Sequence, residues 1–342
     1  MNRLHGLDAA RFLAFCGMVL VNFRVVTAIN AGSDWSSLIT NALEGRAAAL
    51  FVVLAGVGIV LGKPTRELLL RRAVFLFVIG LINLTIFEAD ILHFYALYFV
   101  VATVFLTASN TALWVGAVGI ILLSLIGLVV LDYEQGWDWN TLEYANFWTV
   151  KGFLRHSLYN GWHPVFPWAA FALVGMWIGR LQLGEKYVQR RLLIGGLIVA
   201  GLALVPEYFV RDPELRDLVS TAPLPPTPFY ILAGCGSSAA LIGGILLLTP
   251  VLDRQNNSAW LLRVTPWLTA PGRQSLTLYV AHIVIGMGTL EALGWMDGSL
   301  RPAQVFWFSV GFCAMCSLYA RLWALKFQRG PLEALMRRTT DT

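Results

Sequence analysis

The chain has 342 residues, of which 57% are hydrophobic and 13% charged, and its mean hydropathy is +0.67. A soluble domain carries about a quarter charged residues, so this composition excludes an ordinary soluble protein and indicates one that buries apolar surface in lipid. The net charge of +5 does not indicate a nucleic-acid binder, because no block of Lys and Arg with interleaved aromatics stands apart from the apolar segments. We expect one domain over residues 1–342.

About ten apolar stretches are long enough, at roughly twenty residues, to cross the hydrocarbon core. In chain order they cover about residues 7–29, 46–62, 68–88, 91–108, 112–131, 165–181, 191–208, 229–251, 275–291 and 303–325. The first stretch has no small-x-small cleavage site after it, so we expect a retained helix and not a removed signal peptide. The sequence therefore predicts an all-α, multi-pass membrane protein with about ten transmembrane helices.

The basic residues predict the orientation of these spans. With the N-terminus in the cytoplasm, only seven of the 25 Lys and Arg residues lie on the outer side, namely Arg24, Arg46, Lys151, Arg155, Arg211, Arg216 and Arg301. The other eighteen, including Arg3 and Arg254, lie at inner ends or loops. The positive-inside rule then places both termini in the cytoplasm, with the chain in the cell or inner membrane.

Two connections on the predicted outer side are long. Residues 132–164 are rich in Trp, Tyr and Phe, too apolar for a free loop and too interrupted for a span. We expect an interfacial helix or a re-entrant segment that lies over the outer mouth. Residues 207–228 contain "PLPPTP", which predicts an extended Pro-rich connector into the next span.

The four cysteines lie inside apolar runs, among small residues, where water and hydrated metal ions are scarce: Cys16, Cys235, Cys313 and Cys316. Although the last two form a C-x-x-C, no second pair accompanies them. We expect packing residues, with no disulfide and no metal site.

The first span carries a row of polar residues on one helical face. At about 100° per residue, Asp8, Arg11, Phe15 and Asn22 fall close together, and Asn22 lies roughly 21 Å beyond Asp8. Asp8 and Arg11 predict either an i,i+3 ion pair at the inner headgroups or an anion site. Asn22 predicts either an interhelical hydrogen bond or a group that orients a reacting carbonyl.

Histidine is the side chain that most often acts as a general base near neutral pH, and the chain has five. We expect His5, in the inner tail, and His156, in the outer loop, to be solvated. The other three, His93, His163 and His282, are candidates, either as working groups or as ordinary residues. His282 is then a buried imidazole with a hydrogen bond, and His163 a member of the interfacial aromatic belt.

Asp90 lies one turn before His93, at the predicted outer start of a span. Its carboxylate is close enough to orient His93 or to raise the pKa of the imidazole. An acidic residue at a helix start is also ordinary charge placement against the helix dipole. Both interpretations stay open.

Five blocks, in order, resemble the YeiB-like membrane proteins and the related heparan-alpha-glucosaminide N-acetyltransferase group. They are "RLHGLDAARFLAFCGMVLVNF", "EADILHFYAL", "HPVFPWAAFALVGMWIGR", "GRQSLTLYVAH" and "RGPLEALMRR", and together they extend over nearly the whole chain. The resemblance implies a multi-helix membrane acyltransferase that takes an acyl group, expected to be acetyl, from acyl-CoA on the inner side. The acceptor is then a hydroxyl or amine of a sugar or lipid on the outer side.

The chain departs from the pattern of that group at two positions in the first span. Phe12 follows Arg11 where the group has glycine, and Asn22 stands where the broader superfamily often has a catalytic histidine. The stretch "NAGSDWSS", which corresponds to the first outer loop, also lacks a histidine. If the chain transfers an acyl group, its base therefore comes from elsewhere, and His163 or His282 is the simplest choice.

Our leading hypothesis assigns the phosphates of acyl-CoA to arginines at the inner side and the base to the outer side. Asp8, Arg11 and Arg273 form the donor site with the inner basic loops. The thioester path is lined by Asn22, Tyr279 and His282. His163 is the general base on the acceptor, since direct transfer needs the acceptor deprotonated as it attacks.

Two other classes of function stay open at this stage. One is a transporter or lipid-binding protein that uses the same polar face to move a small anion, although no inverted repeat is evident. The other is a partner subunit with a decayed active site, which the departures at Phe12 and Asn22 would fit. Membrane lipid is an expected partner, nucleic acid is not, and a homo-oligomer is possible.

Overall fold

The computed structural model describes residues 4–29, 32–139, 141–249 and 259–341 and is about 74% helical. The helices are α1 His5–Val26, α2 Trp35–Leu43, α3 Arg46–Gly62, α4 Arg66–Leu84, α5 Leu92–Phe105, α6 Asn110–Val130, α7 Val150–Arg155, α8 Val165–Gly179, α9 Lys186–Phe209, α10 Pro213–Val219, α11 Pro228–Leu248, α12 Ala259–Gly272, α13 Ser275–Ala281, α14 Gly288–Ala292, α15 Pro302–Trp323 and α16 Pro331–Thr340. Two π-helical segments, His156–Asn160 and His282–Met287, and two short strands, β1 Trp137–Asp138 and β2 Glu143–Tyr144, are also present. The predicted all-α class is confirmed.

Seven helical stretches of the described residues are long and apolar enough to cross a membrane. They are His5–Val26, Trp35–Gly62, Asn110–Val130, Lys186–Phe209, Pro228–Leu248, Ser275–Ala292 and Pro302–Trp323. The other three predicted spans coincide with α4, which begins with a strongly charged turn, and with the shorter apolar helices α5 and α8. A multi-pass membrane protein is therefore supported, while the count of ten and the orientation stay predictions. Arg3 and Arg254 lie outside the described residues.

Some of the helices were not predicted, among them α2 and α12. Asp34 begins α2, because its carboxylate accepts hydrogen bonds from the backbone N–H groups of Ser36 at 3.0 Å and Ser37 at 3.3 Å. The second, α12, contains Pro266 and Pro271. Proline normally ends a helix, so the sequence pattern of this segment gave no helical expectation.

The outer segment 132–164 is not one interfacial helix. It opens with an antiparallel strand pair in which Trp137 lies opposite Tyr144, and it continues into α7 and the first π-helical segment. Positive φ angles of 99° at Gly136 and 58° at Asn146 turn the backbone where a helix could not continue. Only the last part of the segment is helical. In the connector 207–228, α9 extends to Phe209 and α10 follows. The predicted extended chain is therefore correct only for the part between α10 and α11.

The chain divides into two compact units, and each is described by itself. The first consists of Met1–Phe51, Gln182–Gly195 and Ser238–Thr342, and the second of Val52–Leu181 and Gly196–Ser237. The expectation of a single domain stays a prediction.

In the first unit, α1 packs against α12 and α15 through buried aromatic residues. Phe23 is fully buried, and its ring centroid lies 5.6 Å from that of Phe308 and 5.4 Å from that of Phe312, both on α15. Gly286, in the second π-helical segment, leaves room for Phe23, since a Cβ there would lie 2.5 Å from its ring. This packing presents one face of α1 to the helix that carries His282.

In the second unit, α3 and α8 approach through two glycines. A Cβ at Gly56 would lie 2.2 Å from the backbone oxygen of Ala172, and one at Gly175 would lie 2.1 Å from that of Val53. Small residues allow such backbone contact between apolar helices, where no hydrophobic effect drives association within lipid. Trp168 lies seven residues before Gly175 on α8, and its fully buried ring packs against Tyr230.

Candidate functional site

The polar face of α1 begins with the ion pair expected from its spacing. Nη1 of Arg11 lies 2.8 Å from Oδ1 of Asp8. The Asp8 side chain is 3% exposed and that of Arg11 is 25% exposed, so the guanidinium can reach a ligand while the carboxylate holds it. This pair fixes the direction of Arg11 at one end of α1.

The end of α12 lies against the same turn of α1. A Cβ at Gly272 would lie 1.8 Å from the backbone oxygen of Asp8, so only glycine permits this approach. Arg273 is the next residue, and its buried Nε has no hydrogen-bond partner in the part of the chain that the structure describes. The backbone next to Arg273 therefore lies against that of Asp8, and the donor site stays a prediction.

At the other end of α1, Asn22 meets His282. The amide Nδ2 lies 3.0 Å from Nε2 of the imidazole, although the two residues are 260 positions apart in the chain. His282 is fully buried, and its Nδ1 contacts the backbone oxygen of Tyr279. Three of the predicted path residues, Asn22, Tyr279 and His282, are thus in direct contact.

These contacts determine the tautomer of His282. A carbonyl oxygen can only accept, so Nδ1 must carry the proton and donate to Tyr279. In the neutral ring Nε2 is then the acceptor, and the Asn22 amide donates to it. A histidine held this way presents its basic nitrogen at one defined position, where it accepts a hydrogen bond from Asn22.

Aromatic rings surround the imidazole. The ring of Phe15 stands edge-on to His282 with centroids 6.1 Å apart, Phe23 stacks at 6.3 Å, and Tyr279 lies at 4.7 Å. His282 also begins the second π-helical segment. Such segments occur frequently at functional sites, because the extra residue redirects the side chains around it.

The start of the helix that carries His282 is capped from the C-terminal part of the chain. Oε1 of Glu333 accepts hydrogen bonds from the backbone N–H groups of Leu276 at 2.7 Å and Thr277 at 3.2 Å. Oε2 accepts from the Thr277 hydroxyl at 2.6 Å. Glu333 thus satisfies free donors at the N-terminus of α13 and ties α16 to it.

Two of the predicted residues, Asp90 and His93, lie in the second unit. The Asp90 carboxylate accepts from Asn83 at 3.1 Å and from the backbone N–H of Leu92 at 2.8 Å, which is the arrangement that caps a helix start. His93 is fully buried, and neither ring nitrogen has a hydrogen-bond partner in the described residues. Asp90 therefore makes the contact with a helix start that one of its two interpretations predicts, and its role stays a prediction.

His163 directly precedes Pro164, the residue that begins α8, as the sequence predicts. Its backbone oxygen accepts from the Tyr98 hydroxyl, its ring lies 4.6 Å from that of Trp168, and its buried Nδ1 has no partner among the described residues. Burial lowers the pKa of His163 to about 3, helped by the proximity of His156. Desolvation is thus the main cause of the lowered pKa of His163.

His156 is not solvated as expected. It is 2% exposed, begins the first π-helical segment, and packs against Tyr144 at 4.7 Å and Phe147 at 4.9 Å between ring centroids. Burial lowers the pKa of His156 to about 3, with a smaller effect from Arg155. The signal that could have identified it is the aromatic composition of its own segment.

The described residues contain no group of three or more His, Cys, Asp and Glu that could hold a metal ion. In the first unit, the candidate groups are Asp8, Arg11 and Arg273 at one end of α1 and Asn22, Tyr279 and His282 at the other. The second unit holds Asp90, His93 and His163 and also His156, which the sequence reasoning missed.

Two protein-family profiles match the chain. The profile described as "Heparan-alpha-glucosaminide N-acetyltransferase, catalytic" matches residues 3–210 and therefore includes all of α1. The profile described as "Protein of unknown function (DUF418)" matches residues 177–342, which include His282 and Glu333. No solved structure matches the chain.

Two curated proteins are similar to parts or most of the chain. The protein YxaH of Bacillus subtilis strain 168, described as uncharacterized, is 23% identical over 341 residues, covering 87% of this chain and 80% of its own length. Monocyte differentiation antigen CD14 of Bos taurus is 31% identical over 130 residues, covering 37% of this chain and 31% of its own length. The second similarity is too short to carry an argument about function.

Proposed function

The chain belongs to the family of the heparan-alpha-glucosaminide N-acetyltransferase catalytic domain, and from this premise we propose that it is itself a membrane acetyltransferase. At the level of the family, the function is of the membrane acetyltransferase type. For this chain, the observation that carries the proposal is the contact of 3.0 Å between Asn22 and His282. It places an amide and a basic imidazole nitrogen side by side on facing helices.

The donor is acetyl-CoA, bound at the opposite end of α1. Arg11 is oriented by Asp8, and the buried Nε of Arg273 lacks a partner in the described residues, so both can serve the phosphates of the donor. Asp8 and Asn22 are separated along the helix axis by roughly 21 Å, a span that an extended pantetheine arm can follow. The thioester then reaches the Asn22–His282 contact.

Acetyl-CoA supplies an activated thioester, whose C–S bond is exchanged for a C–O or C–N bond to the acceptor with release of the CoA thiol. His282 takes the proton of the attacking hydroxyl or amine on Nε2 and then gives it to the leaving sulfur of CoA, while the Tyr279 carbonyl holds the proton on Nδ1. The acceptor replaces the Asn22 amide at Nε2, which leaves that amide to donate to the acetyl carbonyl oxygen.

Between the two histidines considered for the base, the geometry favours His282. A general base must hold its acceptor nitrogen within hydrogen-bond reach of the proton that it takes, and Nε2 of His282 has a defined position beside Asn22. Among the described residues, no contact determines which ring nitrogen of His163 carries the proton, whereas that of His282 is determined by Tyr279.

The distribution of basic residues predicts which side of the membrane each substrate is taken from. We place the Arg11 end of α1 at the inner leaflet of the cell or inner membrane, where acetyl-CoA is present, and the Asn22 end towards the outer leaflet. The acceptor is then a hydroxyl or amine of a sugar or a lipid, approached from the outer side.

The test uses the purified full chain in nanodiscs with acetyl-CoA labelled on the acetyl group and a panel of sugar and lipid acceptors. His282→Gln should bind acetyl-CoA like the wild type but transfer at least about 100-fold more slowly, the contribution of a general base. His163→Gln is the matched variant and should keep transfer within a few fold.

Two outcomes would contradict the assignment. If His163→Gln loses transfer and His282→Gln does not, the base is His163. If the wild type moves a small anion across the membrane but binds no acetyl-CoA and transfers no acetyl group, the chain is a transporter.

A further inference from the structure

Residues of the second unit, most of them from the segment 132–164, line an open cavity of about 650 Å³. Its walls are the hairpin strand β2 with the loop after it, the end of α4, and the start of the first π-helical segment. This volume is within the range of small-molecule sites, which is about 300–1,000 Å³. We call it the hairpin cavity.

The charge in the hairpin cavity is of one sign. Glu88, Asp138 and Glu143 line it, and no Lys or Arg does. The carboxylates of Glu88 and Glu143 form no ion pair in the part of the chain that the structure describes. Desolvation, together with the Glu143 carboxylate, raises the pKa of Glu88 above its usual 4.5. Both residues are exposed, and Glu143 is close enough to Glu88 to affect the pKa of its carboxyl.

The apolar lining of the cavity is aromatic. The rings of Phe147, Trp148 and Trp162 line it and present π faces, which attract organic cations. Tyr144 also lines the cavity, but Arg155 already uses its ring, with the guanidinium carbon 5.2 Å from the centroid and Nε donating to the hydroxyl at 2.6 Å. Arg155 is therefore already paired with Tyr144.

His156 completes the lining. It is 2% exposed, and its Nδ1 has no hydrogen-bond partner among the described residues. Burial lowers its pKa to about 3, so the imidazole is neutral at physiological pH and does not repel a cation. The buried Nδ1 lies towards Gly161, where a Cβ would be 2.7 Å from it, so His156 contributes an uncharged ring to the wall of the cavity and not a hydrogen bond to a ligand.

We propose that the hairpin cavity binds a compact organic ammonium ion, with Glu88 and Glu143 compensating its charge and Phe147, Trp148 and Trp162 contacting its alkyl groups. An anionic ligand is opposed by the three carboxylates. A neutral ligand of the same shape would gain the aromatic contacts but would leave the repulsion between Glu88 and Glu143 in place. This inference does not rest on the acetyltransferase proposal.

The first experiment compares two probes on the wild-type full chain in detergent, without acetyl-CoA. Choline and its uncharged carbon isostere 3,3-dimethyl-1-butanol have nearly the same shape, so the comparison isolates the charge. Isothermal titration calorimetry should show that choline binds at least about tenfold more tightly, since each tenfold step is about 1.4 kcal/mol.

Variants then locate the site. Glu88→Gln and Glu143→Gln should each weaken choline binding at least about tenfold, an effect of about 1.4 kcal/mol. Glu185→Gln is the control, because Glu185 is exposed and does not line the cavity. Choline affinity should also fall on acidification, beginning above pH 4.5, because Glu88 loses its charge at its raised pKa.

Three results would overturn the proposal. Equal affinity for the two probes would show a cavity that selects shape alone. An equal loss of affinity in Glu185→Gln would show a nonspecific surface effect. No measurable binding of choline, tetramethylammonium or propylammonium would exclude the ligand class. Because acetyl transfer is not part of the assay, none of these results bears on the proposed reaction.

Discussion

At the residue scale, His156 and His163, which lie outside the long apolar helices, make the segment 132–164 sensitive to acid. Burial lowers the pKa of His156 and His163 from 6.5 to about 3, so the folded state binds their protons less strongly than the unfolded state does. Stability from these residues is complete above pH 6.5 and is lost as the pH falls towards 3. The loss is up to about 1.4 kcal/mol per pH unit for each histidine.

Hydrogen exchange checks this prediction. After correction for intrinsic rates, peptides of residues 141–163 should exchange faster at pH 5 than at pH 7. Peptides of α6, which has no titratable side chain, should not change. Equal protection of residues 141–163 at both pH values would show that burial does not lower the pKa of these histidines.

A second prediction concerns the arginines of the donor site. Replacing Arg11 or Arg273 with Gln should weaken acetyl-CoA binding by about 1–3 kcal/mol, the value of one charge-assisted contact. Arg190→Gln is the control, because Arg190 is an exposed basic residue near the start of α9. Calorimetric titration with acetyl-CoA measures the change. Unchanged affinity in both site variants would place the donor site elsewhere.

Local pairs at this scale could be predicted from sequence and distant ones could not. The spacing of Asp8 and Arg11 on one helix is enough to predict their ion pair. The contact between Asn22 and His282 joins residues 260 positions apart, so helical periodicity says nothing about it. The sequence predicts a solvated His156, because the rings of Tyr144 and Phe147 are brought to it only by the folded hairpin and the loop after it.

At the scale of elements, some glycines of the second unit lie at close helix contacts, and others lie on open surface. Gly175→Ala should destabilise the unit by about 1–3 kcal/mol, since the new Cβ would lie 2.1 Å from the Val53 oxygen. Gly119→Ala on α6 is the matched control. A Cβ there meets nothing within 4 Å, so the change should be neutral or stabilise by up to about 1 kcal/mol. Thermal unfolding in detergent compares the two, and the opposite order would contradict this packing.

The Glu333 cap gives a further prediction about elements. Glu333→Ala removes the acceptors of the Leu276 and Thr277 N–H groups and should destabilise the docking of α16 by about 1–3 kcal/mol. Glu333→Gln keeps one oxygen and should lose less. Protease sensitivity of the C-terminal part, compared between the two variants, is the measurement. Equal sensitivity in Glu333→Ala and the wild type would show that the cap does not hold α16.

Hydropathy identifies the long apolar helices because lipid requires every backbone group to be paired within the segment. It does not identify α2, which depends on the Asp34 cap, or α12, which contains Pro266 and Pro271. It also fails at residues 132–164, where β1 and β2 form a hairpin and Leu142, between the two strands, has a positive φ angle. These elements depend on individual side chains and turns, which a window average does not resolve.

At the scale of the whole molecule, orientation is the prediction with the widest consequences. The excess of Lys and Arg on one side predicts that both termini lie in the cytoplasm and residues 132–164 outside. In a background without the four cysteines, Asp138→Cys should react with an impermeant maleimide on intact cells, and Lys186→Cys should react only after lysis. The reverse labelling pattern would invert the orientation, and with it the side from which acetyl-CoA is taken.

Both π-helical segments begin at a histidine, at His156 and at His282. A π turn holds one more residue than an α turn, so a relative without that residue would have a regular helix there, with everything beyond it rotated by about 100°. An alignment that avoids single-residue gaps inside apolar helices would then pair the wrong residues after His282. Comparisons among distant members of this family should therefore allow a one-residue gap at residues 282–287, and ancestral reconstruction can ask when that residue was gained.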